Sequence, residues 1–117
     1  MKNMLVLIAL LLTACVPSGL EITPKMTASM VAFADQYDIW YPDSSENIAR
    51  ECAENPADIF WNDELKGYAV LCPLPWYANS YGVVTLDENE VVWNAFGLGA
   101  TSQSDAVKML ASLGWER

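Results

Sequence analysis

Apolar and polar positions divide this chain into blocks with different periods. Met4 to Leu12 is unbroken apolar and gives way to Thr13-Ala14, with Pro17, Ser18 and Gly19 close behind. A membrane-crossing helix needs about 20 apolar residues, so this run is too short to span a bilayer. Further along, Met26, Met30, Phe33, Tyr37 and Trp40 recur at steps of four and three residues. That period puts them on one face of a helix and reads as a core stripe. Thr23 supplies its cap, Pro24 its first helical position, and Pro42 its limit. Ile48, Ala49, Cys52 and Ala53 form the narrower apolar side of a second helix. Asp43-Ser44-Ser45-Glu46 fits a capping box at its start, and Asn55-Pro56 stops it.

The pattern then changes. Ile59-Phe60-Trp61 is a short apolar patch, strand or turn, ahead of the acidic turn Asn62-Asp63-Glu64. Gly67 to Cys72 is a strand run ended by Pro73 and Pro75. Tyr81–Leu86 and Val91–Phe96 flank the polar Asp87-Glu88-Asn89-Glu90, and a short polar loop between β-branched runs signals a hairpin. Gly97 and Gly99 release the chain. Ser102 caps a last helix with Asp105 as reciprocal partner, and Val107, Leu110 and Leu113 mark its apolar face with Ala106 and Met109 alongside. Gly114 ends that helix and Trp115 folds back on it. The expected fold is a small single α+β domain: two N-terminal helices, a three-stranded antiparallel meander and a C-terminal helix, with the helices covering one face of the sheet.

Lys2, the short apolar run and the small residues after it follow the order of a secretory signal. Leu12-Thr13-Ala14-Cys15 resembles the lipobox of bacterial lipoproteins. The resemblance covers about the first 15 residues and implies that the Cys15 thiol is diacylated and becomes the new first residue. Two or more acyl chains anchor stably, at roughly 0.8 kcal/mol per buried CH₂. The chain then divides into a signal peptide at 1–14, a lipidated tether at 15–22 and one domain at 23–117. Val16 rather than aspartate follows the cysteine. By resemblance to lipoproteins sorted in Gram-negative envelopes, this favours the outer membrane, with the domain in the periplasm or facing outwards.

Charge narrows the partners. Cleavage after Ala14 removes Lys2 and no acid, leaving five basic and fifteen acidic side chains. Nine acids lie between Asp35 and Glu64 against the single Arg50. Such a surface repels nucleic-acid backbones and attracts cationic proteins. With Cys15 lipidated, Cys52 and Cys72 remain, and two cysteines in an oxidising envelope are expected to pair.

Histidine is absent, which removes Ser-His-Asp and Cys-His arrangements and imidazole-based metal sites. No nucleotide-binding glycine loop is present: Gly97-Leu98-Gly99 lacks a following lysine. The Asp87–Glu90 turn lacks the 12-residue spacing of a calcium loop. No catalytic residue, cofactor or metal is expected. The candidates for binding are the aromatic pair Trp76 and Tyr77, displayed on a loop forced by Pro73 and Pro75, together with Trp61, Asp63 and Glu64. The expected function is that of a membrane-anchored, non-enzymatic envelope lipoprotein binding a cationic protein partner, as assembly factor, inhibitor or immunity-type protein. The alternative is a glycan or peptidoglycan binder that stacks sugars on its aromatics.

Overall fold

A computed structural model describes residues 20–36 and 44–117. The signal segment, Cys15, most of the tether, and Tyr37, Trp40 and Asp43 lie outside the described residues. The elements in chain order are α1 (Pro24–Ala34), α2 (Ser45–Glu54), β1 (Asp58–Asn62), β2 (Gly67–Pro73), β3 (Ser80–Asp87), β4 (Val92–Gly99) and α3 (Gln103–Ala111). The four strands form one antiparallel sheet in sequential order. No helix among the described residues is long and apolar enough to cross a membrane.

The α+β class and the meander are as expected, with two corrections. The patch Ile59-Phe60-Trp61 is a strand, so the sheet has four strands rather than three. It pairs with β2 through Ile59↔Val70, Phe60↔Ala69 and Trp61↔Tyr68. The helices also cover both faces of the sheet rather than one. Met26 and Met30 of α1 and Ile48 and Cys52 of α2 pack on Val70, Cys72, Val84 and Leu86. On the other face, Ala106 and Leu110 of α3, with Trp115, pack on Phe60, Ala69, Leu71 and Val83. Successive strand residues point to opposite faces. A run such as Ala69-Val70-Leu71-Cys72, apolar at every position, therefore has to be buried on both sides. Its four side chains are all fully buried.

Local chemistry sets the element ends. Thr23 caps α1, its hydroxyl accepting from the Met26 N–H at 3.1 Å. The cap of α2 is Ser44, accepting from the Asn47 N–H at 3.2 Å, one residue later than the capping box placed it. Ser102 accepts from the Asp105 N–H at 3.1 Å. The Asp105 carboxylate turns to the N–H and hydroxyl of Thr101 instead of reciprocating to Ser102. Gly114 has φ of +96°, a left-handed conformation that glycine adopts at a helix C-terminus without a Cβ penalty. Trp115 folds back, its N–H donating to the Leu110 carbonyl at 3.1 Å. Leu113 departs from expectation: it is exposed rather than part of the α3 core face, and Met109 is 36% exposed.

Cys52 and Cys72 form a disulfide with Cα atoms 5.0 Å apart, joining α2 to β2. Gly82 lies opposite Cys72 on β3. A Cβ there would come within 2.8 Å of the Ile48 side chain and 3.1 Å of the Cys72 sulfur. This glycine lets α2 sit close enough for the bridge.

Candidate functional site

Two surfaces carry the candidate residues, at opposite ends of the sheet. The first is built on the β1–β2 turn. Asn62, the last residue of β1, is buried. Its carboxamide oxygen accepts from the Leu65 N–H at 3.0 Å and its amide donates to the Leu113 carbonyl at 3.3 Å. One side chain thus holds both the turn and the end of α3. The C-terminal segment is fixed on the same side. Trp61 and Glu116 exchange backbone hydrogen bonds at 2.7 and 2.8 Å, and Arg117 pairs with Asp58 at 2.7 Å.

Between turn and tail lies an open cleft of about 460 Å³ lined by Asn62, Asp63, Glu64, Leu113, Gly114 and Glu116. Three carboxylates stand on its wall. The Lys66 ammonium, 3.0 Å from Asp63, holds the Asp63 carboxyl below its usual range, with a hydrogen bond from the Trp61 side chain adding to the effect. Asp63 is therefore anionic at neutral pH. Two apolar side chains stand exposed beside these acids, Leu65 at 57% and Leu113 at 68% of their full exposure. Trp61 is half-buried, its ring edge-on to Tyr68 with centroids 4.8 Å apart.

The structure thus brings together three of the five binding candidates, Trp61, Asp63 and Glu64. It adds Glu116 and Leu113, which sequence reasoning left out. Leu113 sits at a core-like spacing, and nothing local in the sequence shows that the chain after Gly114 returns to β1. The next turn at this end is Asp87–Glu90. There the Asp87 carboxylate accepts from the Asn89 and Val91 N–H groups, and Glu90 accepts from the Thr23 hydroxyl. These two acids organise the turn and the start of α1. The described chain therefore enters the fold at the acidic end.

The second surface is the β2–β3 loop. Leu74 is buried, and its N–H donates to the Ser80 carbonyl at 3.1 Å. Beyond it Trp76 and Tyr77 are exposed at 36% and 50%. The seven-residue β2 separates them from Asp63 and Glu64 by roughly 20 Å of strand. The aromatic loop and the acidic turn therefore cannot form a single small-molecule site.

Among the described residues, no group of His, Cys, Asp or Glu is placed to hold a metal ion. No buried side-chain nitrogen or oxygen among them lacks a hydrogen-bond partner. Comparison with protein-family models gives no match, and comparisons with curated proteins and with solved structures give none either.

Proposed function

We propose that this protein is a non-enzymatic lipoprotein of the cell envelope. In this reading it is anchored by acyl chains on Cys15, at an outer membrane by the sorting argument from Val16, and it binds a cationic protein as assembly factor, inhibitor or immunity-type protein. The observation that carries the binding half is the cleft between the β1–β2 turn and the C-terminal segment. There Asp63, Glu64 and Glu116 line the cleft together with exposed Leu113, and Leu65, next to Glu64 in the chain, is exposed on the same turn. An apolar contact ringed by charge of one sign is the composition of a protein-binding patch, where the leucines supply burial and the acids supply steering and register. Lys66, the cation of this turn, is paired with Asp63 and Arg117 with Asp58, and among the described residues no ion pair engages Glu64 or Glu116.

Ionic strength and charge reversal test this reading. The partner recovered from the native envelope should bind at least about tenfold less tightly when salt rises from low to high concentration. The double variant Glu64→Lys/Glu116→Lys should lose a similar factor at low salt and much less at high salt. Affinity that stays flat across both comparisons would overturn the acidic cleft as the binding surface. A second reading, glycan binding, is favoured by one observation: Trp76 and Tyr77 are exposed at the end of the sheet opposite the Asp87–Glu90 turn, where Thr23 and the start of α1 lie. Under that reading Trp76→Ala/Tyr77→Ala abolishes peptidoglycan retention, which salt barely changes.

A further inference from the structure

We infer that the outer half of β4 is a self-association edge, which pairs antiparallel with β4 of a second copy about a two-fold axis at Leu98. The inference is independent of the acidic cleft. β4 is the last strand of the sheet. The Ala100 N–H donates to the Asn79 carbonyl at 3.0 Å, in register with Ser80↔Gly99. In an antiparallel ladder, bonded and non-bonded pairs alternate. Leu98 and Phe96 therefore turn their backbone groups towards β3, while Ala95, Gly97 and Gly99 turn theirs outwards.

The first half of this edge is closed. Ser29 accepts from the Val92 N–H at 3.0 Å, Ser45 donates to the Ala95 carbonyl at 2.8 Å, and Asn94 covers the Ala95 N–H. The second half is bare among the described residues: β4 ends the sheet, and no hydrogen bond of theirs reaches the outward backbone groups of Gly97 or Gly99. Folded proteins usually guard such an edge with charge, proline or a covering segment. The opposite edge has such a cover, because the Glu116 segment pairs with β1. From Val91 to Ser104 the chain carries no charged residue.

That last point selects the occupant. A cationic strand would find no carboxylate on β4 itself to reward it. A second copy meets an uncharged strand, so two chains of formal charge −9 can approach here without opposed carboxylates. Pairing about Leu98 sets Gly97 against the partner copy's Gly99 and the two Leu98 side chains face to face. Each glycine donates an N–H and accepts at its carbonyl. Phe96, 38% exposed, then lies diagonal to the second Leu98, within reach of an aromatic side chain.

The test uses the full chain purified in detergent. Leu98→Cys should cross-link into a covalent dimer under mild oxidation, and Asn94→Cys, farther along the same strand, should not. Gly97→Pro removes the outward N–H. It should halve the protein mass seen by light scattering at high concentration, with the melting curve unchanged. Equal cross-linking of the two cysteine variants overturns the proposal. So does a mass that is monomeric at every concentration, or a dimer mass that Gly97→Pro leaves intact.

Discussion

Phe60→Ala should remove about 3–5 kcal/mol of stability, the range for emptying a phenylalanine site in a packed core. Phe60 is the largest fully buried side chain among the described residues. It stands on β1, where the sheet meets α3 and Trp115. Little nearby can collapse into the gap, because the Trp61–Glu116 backbone bonds and the Asn62 side chain hold the surrounding segments in place. Small domains have about 5–15 kcal/mol in total, so this one change consumes a large part of it. At roughly 4–8 °C per kcal/mol for a domain of this size, the melting midpoint should fall by about 20 °C. Circular dichroism during heating or urea titration measures it. A loss below about 1 kcal/mol would show that α3 does not pack on β1 as described.

The second large effect concerns the disulfide. Cys52 and Cys72 close a loop with a sequence separation of 20, and a bridge of that size stabilises by roughly 3 kcal/mol on the chain-entropy estimate. Both sulfurs are fully buried between α2 and the sheet, so Cys52→Ala/Cys72→Ala also loses packing, and its midpoint should drop at least as far. Adding reductant supplies the control. Wild-type protein should lose stability when reduced, and the double variant should not respond. A wild type indifferent to reductant would mean that the thiols do not pair in the purified protein.

Much of this architecture is legible in the residues because the signals are local. Thr23-Pro24, Ser102 and Gly114 mark helix ends through bonds spanning a few residues, and each sits where its chemistry puts it. The hairpin around Asp87–Glu90 is equally local. The errors arise where the deciding contact is distant in sequence. Ile59-Phe60-Trp61 is too short to declare itself a strand, and becomes one because β2 offers an edge and α3 a cover for Phe60. Leu113 keeps a core-like spacing, yet the turn at Gly114 leaves it exposed. The second layer of helix was in fact readable: Ala69-Val70-Leu71-Cys72 has no polar position to show to water.

The candidate site divides along the same line. Asp63 and Glu64 were recognisable as an acidic turn, and Trp76 and Tyr77 as a displayed loop. The cleft itself depends on Asn62 gripping the end of α3 from 51 residues away and on the C-terminal segment returning to β1. Composition gives the sign of the surface, and only the fold gathers Glu116 and Leu113 beside that turn.

The chemistry at Cys15 decides whether the chain is membrane-anchored, and intact-mass spectrometry of the chain purified from its own membranes reads it. The expected result is a chain lacking residues 1–14, heavier than its sequence by the mass of the acyl groups, with fragment ions placing the added mass on Cys15. A chain carrying an unmodified thiol at Cys15 and released from membranes by salt alone would contradict it.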